Sequence, residues 1–265
     1  MNVCTFAFLY ELRMSDYELV KLKAYIVHCT LYIVLVFSAC NKESRWDCTK
    51  RTGKVITDVR VLPPFTKIIA EDNVNVFITQ GSTQEVKVVA GNNLIPLIKT
   101  EVANEKLIIQ NNNKCNWARS YKNGTINVHI TMPLLIHISH FGSGQIKNND
   151  TLTVDTLTIL TRESGDVEFT INTQMLVTQV HSTSDVTLHG TSILHGNFHI
   201  GAGFLYCEDL QTEYTWSHSK AAGNEYLNVK KELGVTIDWV GNIYYSGNPA
   251  IDVKGTGEGK LIQQN

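Results

Sequence analysis

Proline is scarce in this chain. It occurs five times in 265 residues, and not once between Pro133 and Pro249. Excess charge of one sign is also lacking: 23 Lys+Arg stand against 25 Asp+Glu, a formal net charge of -2, with no long like-charge run. That excludes the electrostatic footprint of a nucleic-acid binder. No C-x-x-C spacing exists to hold a metal. There is no G-x-S-x-G elbow and no H-E-x-x-H, and no metal or other cofactor is expected. The glycine-rich runs Gly142-Ser143-Gly144 and Gly255 to Gly259 are followed by no Lys-Ser/Thr pair. They are therefore not phosphate loops. The leucine-rich-repeat spacing L-x-x-L-x-L-x-x-N is absent too.

What the chain does have is a repeat. Gly144, Gly165, Ser184, Gly203, Gly223, Gly241 and Gly259 recur at steps of 18 to 21 residues, most followed by an apolar-rich strand pattern. Periods near 20 residues mark a solenoid, whose units bury their apolar faces only against each other. Runs such as Thr151–Val154, Leu157–Leu160 and Val167–Ile171 alternate with period 2 and are rich in Thr, Val and Ile. That is a strand signature. The repeat predicts a right-handed parallel β-helix, all-β, with two or three short strands per coil. A β-sandwich of hairpins is the competing fold. The regular step and the scarcity of proline favour the solenoid.

The N-terminus differs. Lys21 and Lys23 precede an apolar run from Ala24 to Phe37, which is too short and interrupted for a confident membrane span. It fits a secretory signal. The run ends at Phe37-Ser38-Ala39-Cys40, which resembles a bacterial lipobox. Residues 1–39 are read as a lipoprotein signal peptide, with 1–13 a start-site extension before Met14. Cys40 is the expected lipidation site, and several acyl chains are what stable anchoring takes. A signal-anchor helix with an incidental Cys is the alternative. Residues 40–52 make a polar tether, and 53–265 the folded domain. Cys4 and Cys29 leave with the signal. Export implies an oxidising compartment, so a Cys48–Cys115 disulfide is expected, with Cys207 a buried free thiol.

Ahead of the repeat, Leu62-Pro63-Pro64-Phe65 gives a rigid lead-in. Strands are expected at 67–70, 74–79, 85–90 and 126–131. Asn92 to Ile98 reads as a one-turn helix with an Asn cap. Val102 to Gln110, turning at Asn104-Glu105, reads as a hairpin.

Several stretches, taken in order, resemble the head GIN domain family, also called the auto-transporter adhesin head domain, of Bacteroidetes lipoproteins. They include Cys48 to Lys54, Leu62 to Ile68, Val74-Asn75-Val76, Ile78 to Gly81, Gly91 to Pro96 and Lys114 to Trp117. Gly142-Ser143-Gly144, Gly241 to Pro249 and Gly255 to Leu261 complete the set. The resemblance runs from about Cys48 to the end. It implies a β-helix-like fold and an envelope lipoprotein, and it assigns no molecular activity. Ser184-Asp185 lacks the usual Gly, and Trp216 to Ala221 is irregular.

Three groups could carry chemistry. Asp166 and Asp185 occupy the same place in consecutive coils, about 4.8 Å apart by strand spacing. They could serve as an acid/base pair or a Ca²⁺ site, but Asp is also a good turn residue. His181, His199 and His218 lie near one edge of successive coils. Their offsets slip by one each time, which would alternate their faces and break up a metal ladder. Trp117, Tyr121, Tyr206, Tyr214, Trp216, Trp239, Tyr244 and Tyr245 could offer a stacking platform for sugars, or could pack as edge pairs. Asp150-Thr151-Leu152 and Asp155-Thr156-Leu157 resemble an O-glycosylation acceptor.

The expectation is an exported, lipid-anchored envelope protein of adhesin or scaffold type, with no catalysis. Its expected partners are the membrane, glycans or envelope proteins, and a second copy of itself. The runner-up is a polysaccharide-active β-helix enzyme using Asp166 and Asp185.

Overall fold

A computed structural model describes residues 50–114 and 125–264, together with Val27 and His28. Cys40, Cys48, Cys115, Trp117 and Tyr121 lie outside the described residues, as do the remainder of the signal segment and most of the tether. Among the described residues no helix is long and apolar enough to cross a membrane.

The alternating pattern makes strand over 67% of the described residues. Among the described residues all seventeen strands join one sheet, which winds into a β-solenoid of about 7 turns. Two walls can be followed through the pairing. The first contains β1 (Val55–Arg60), β4 (Glu85–Gly91), β7 (Asn127–Met132), β3 (Asn75–Gln80) and β9 (Ile146–Asn148). It continues through the leading halves of β11 (Val167–Ser182), β12 (Val186–Gly201), β13 (Leu205–Ala221) and β14 (Glu225–Ile237), then β15 (Ile243–Ser246) and β17 (Leu261–Gln263). The second contains β5 (Ile98–Ala103), β6 (Lys106–Asn111), β2 (Lys67–Asp72), β8 (His137–Gly142) and the trailing part of β10 (Leu152–Glu163). It ends with the trailing halves of β11 to β14 and with β16 (Ala250–Lys254). From β2 and β3 onward neighbouring rungs run parallel. Antiparallel pairing is confined to the first end, in β1–β4, β4–β7 and β5–β6.

The coils are built from longer strands than the pattern suggested. β11 faces Val167, Phe169, Ile171 and Thr173 inward, then Leu176, Thr178 and Val180. Between the two sets Gln174 and Met175 both face out. Two consecutive outward residues shift the alternation by one, so the strand turns a corner without losing its ladder. Asp155 and Thr156 do the same in β10. At the far side of the second wall, Asp72, Glu163, Ser182 and Gly201 take positive φ where the chain turns back.

Two details at the first end refine the sequence reading. Asn104 and Glu105 both have positive φ, which is how a tight two-residue turn matches the twist of its hairpin. The one-turn helix is Ile95–Leu97 and is preceded by Leu94, not by an Asn cap. The Asn93 amide instead donates to the Arg51 carbonyl at 2.9 Å, holding the incoming chain.

Inward residues form a continuous apolar column, including Ile68, Ile138, Phe169, Leu188 and Leu227. It turns polar in the middle coils, where Thr178, His195, Asn197, His199, Ser217 and Glu225 are all buried.

Candidate functional site

The recurring small residue of the repeat has a mechanical cause. Gly144, Gly165, Gly203, Gly223, Gly241 and Gly259 lie in a column where each rung's backbone carbonyl points at the next rung. A Cβ at Gly223 would overlap the carbonyl oxygen of Gly203.

The residue after each of these forms a second column, which contains Asp166 and Asp185. The Asp185 N–H donates to Asp166 Oδ1 at 3.1 Å, and the Phe204 N–H to Asp185 Oδ1 at 2.8 Å. Asn75, Asn224 and Asn242 accept the N–H of Gln145, Asn242 and Lys260 in the same manner, at 3.0, 2.9 and 2.9 Å. The two carboxylates are thus adjacent, and each has an oxygen engaged on the next rung's backbone. An amide oxygen does the same work elsewhere in the column. The double variant Asp166→Asn, Asp185→Asn is therefore expected to keep its unfolding midpoint, within about 0.5 kcal/mol. Loss of a measured glycan cleavage in that stable variant would establish a catalytic pair.

The three histidines do not converge. His181 and His218 face outward on the second wall, with Phe198 edge-on between them at centroid distances of 6.1 and 5.4 Å. His199 points inward and is fully buried. Among the described residues, no three His, Cys, Asp or Glu side chains gather to hold a metal.

The aromatics divide into two sets. Tyr206, Tyr226 and Tyr244 stack on the outside of the first wall, with centroids 5.4 and 5.0 Å apart and rings within 11° of parallel. Phe204 lies against Tyr206 at 5.7 Å. Their ring faces are taken up by each other, so this ladder ties rungs together. Tyr245 is interior, and Trp239 is exposed. Neither Tyr226 nor Phe204 stood out in the sequence, although 206, 226 and 244 fall at the repeat step.

Trp216 is different. It sits on the outside of the second wall, 46% exposed, and its neighbours in register are Gly196 on one rung and Gly234 on the other. The indole leans over Gly234, with its Cδ1 2.6 Å from where a Cβ would stand there. At Gly196 a Cβ would meet nothing within 4 Å. A groove of about 340 Å³ opens along this face, bordered by Val177, Gln179, Phe198 and His218. Tyr214 lies parallel to the indole at 6.2 Å. His218 Nε2 pairs with Asp238 Oδ2 at 2.8 Å, and that hydrogen bond lowers the Asp238 pKa. The Lys254 ammonium pairs with Asp252 at 2.6 Å. The signal for this site was present as glycines at 196 and 234, one repeat step either side of the tryptophan.

Inside the same coils the buried Glu225 carboxylate accepts from Ser217 Oγ at 2.5 Å and from Asn197 Nδ2 at 3.0 Å. It also faces His199 Nδ1 at 3.2 Å, while His199 Nε2 faces the Gly203 carbonyl at 3.0 Å. Both ring nitrogens therefore face oxygen atoms inside the solenoid. His195 is also buried. Desolvation pushes its pKa down to about 4, against the pull of Glu225, so it stays neutral at pH 7. Cys207 is a free, buried thiol whose pKa burial raises, which leaves it unreactive.

Parallel rungs, a backbone close-approach column and a shallow amphipathic outer wall together define a short β-solenoid that presents its surface on flat faces. The family model for the putative auto-transporter adhesin, head GIN domain, matches residues 64–249. The chain belongs to that family.

Solved structures agree with this. A putative adhesin from Bacteroides fragilis NCTC 9343 is 25% identical, with a TM-score of 0.74 over 80% of this chain and 97% of that one. A putative lipid binding protein from Parabacteroides distasonis ATCC 8503 is 18% identical, with a TM-score of 0.63 over 80% and 98%. A putative adhesin from Parabacteroides merdae ATCC 43184 is 17% identical, with a TM-score of 0.61 over 81% and 98%. The last two bear on the fold alone. No curated protein matches the chain.

Proposed function

We propose that this is an exported envelope lipoprotein of adhesin type, held by acyl chains on Cys40 and binding through the outer face of its second wall. It works by attachment and not by catalysis. The observation that carries the reading is the groove beside Trp216, a large aromatic left exposed on a wall that is otherwise ordered by rung-to-rung contacts. Large exposed aromatics with polar neighbours are typical of binding surfaces. The adhesin description of the family and of the Bacteroides fragilis relative supports the same reading. The engagement of Asp166 and Asp185 as backbone acceptors fits a structural use of those carboxylates.

Two measurements test it. Metabolic labelling with palmitate should mark the wild-type protein and miss Cys40→Ala; equal labelling of both removes the anchor. Cells displaying the full chain should adhere to immobilised extracellular-matrix proteins or mucin more than cells displaying Trp216→Ala. Equal adhesion of the two would remove the second wall as the binding face.

A further inference from the structure

We infer that the groove beside Trp216 is a subsite for a neutral pyranose ring of a glycan, with the sugar's C–H face on the indole and its hydroxyls on the polar rim. This rests on the reading of the second wall as the binding face, and adds to it the chemistry of what is bound.

The floor comes first. Gly196 exposes bare backbone in line with the indole, and no atom lies within 4 Å of the space its side chain would fill. Because Trp216 leans the other way, over Gly234, the room on the Gly196 side stays open. The groove's volume of about 340 Å³ is at the lower end for small-ligand sites. It suits a ring lying flat better than a long apolar chain.

The rim comes next. The Gln179 amide and the Thr236 hydroxyl border the groove and have no hydrogen-bond partner among the described residues. Between them they offer donors and acceptors, as a ring of hydroxyls requires. A flat aromatic ligand would fill the floor and leave these groups without partners, which is costly once water is displaced.

Charge decides the rest. Of the ionisable groups that line the groove, Lys254 pairs with Asp252, and His218 hydrogen-bonds to Asp238. The one ammonium and the one carboxylate in the lining thus offset each other, which favours an uncharged ligand. The combination of apolar face, hydroxyl-matching rim and neutral field matches an uncharged pyranose. The tyrosine ladder on the first wall does not offer this, since its ring faces are mutually covered.

The test uses the full-length protein purified in detergent. The probes are the neutral disaccharides cellobiose, lactose, maltose and mannobiose, followed by tryptophan fluorescence and calorimetry. At least one should bind. Trp216→Ala should weaken that binding about tenfold or more, as loss of a central aromatic anchor does. Gly196→Leu fills the floor and leaves the indole in place. It occupies open space at a residue without positive φ, so it should fold and also lose binding. Trp216→Phe should retain most of the affinity. Absence of binding to every probe overturns the inference, as does sugar binding that survives both Trp216→Ala and Gly196→Leu. If no sugar binds while Trp216→Ala still abolishes cell adhesion, the pyranose assignment falls and the binding face stands. If adhesion is also indifferent to Trp216→Ala, both fall.

Discussion

Gly223→Ala should cost about 4 kcal/mol or more in unfolding free energy, at the extreme of single-methyl changes, whereas Gly196→Ala should be neutral or gain up to about 1 kcal/mol. Both glycines lie on the solenoid, and both substitutions add one carbon. The difference is what that carbon meets. At Gly223 it would overlap the carbonyl of Gly203, with Ala202 O close beside it. At Gly196 it meets nothing within 4 Å. A clash with backbone cannot be relieved by turning a side chain, so two rungs would have to separate locally. They are also joined there by the N–H groups of Ala222 and Gly223, which both donate to Gly201 O. Urea unfolding followed by far-ultraviolet circular dichroism measures both variants. Equal shifts for the two would show that close approach is not why the repeat keeps a small residue there.

Ser184 tests the same idea from within the chain. It is the one member of the repeat series that carries a Cβ, and it breaks the glycine pattern of the family. At Gly203 the N–H groups of Ala202 and Gly203 converge on Ser182 O. At Ser184 the carbonyl of Glu163 receives the Thr183 N–H at 3.0 Å and the hydroxyls of Thr183 and Ser184 at 3.2 and 3.3 Å. A side-chain donor stands in for a backbone one, and the turn differs accordingly. The period and the turn residues were therefore legible, because they follow from rung-to-rung sterics that recur at each step. The faces of the histidines were legible too: strand alternation separates buried His199 from outward His181 and His218.

The first half was not legible in the same way. β2 and β3 form a rung that lies between β6 and β7 on one side and β8 and β9 on the other. The chain therefore lays down this rung, builds the antiparallel end beyond it, and returns to continue the solenoid. Rungs out of chain order leave no 20-residue period to detect. Local alternation predicts each strand there but not its neighbour. The corners were missed for a related reason. Asp155-Thr156 and Gln174-Met175 look like breaks between strands, yet the ladder continues through them. The groove at Trp216 needs register between three rungs, which a single pass along the chain does not compare.

Glu225→Ala is expected to destabilise the protein by about 3 kcal/mol or more, because it strips several buried polar groups of their acceptor at about 1–3 kcal/mol each. Glu225 is fully buried and occupies the inward position that Val186, Leu205 and Ile243 fill in neighbouring rungs. Without it, His199 Nδ1 loses its acceptor inside the solenoid, and Asn197 and Ser217 each lose a contact. The single substitution leaves polar groups stranded. Replacing the pair together does not. His199 stacks on Val180 in register, so Glu225→Leu with His199→Val restores the apolar columns of the adjacent coils. Asn197 and Ser217 still bond to each other at 3.0 Å in that background. The double variant should therefore be more stable than the sum of its single changes by about 1–3 kcal/mol, the coupling expected of residues in one network. Chemical unfolding of the wild type, Glu225→Leu, His199→Val and the double variant measures that coupling. Additive effects would mean that the carboxylate and the imidazole do not depend on each other. The polar interior would then be held by Asn197 and Ser217 alone.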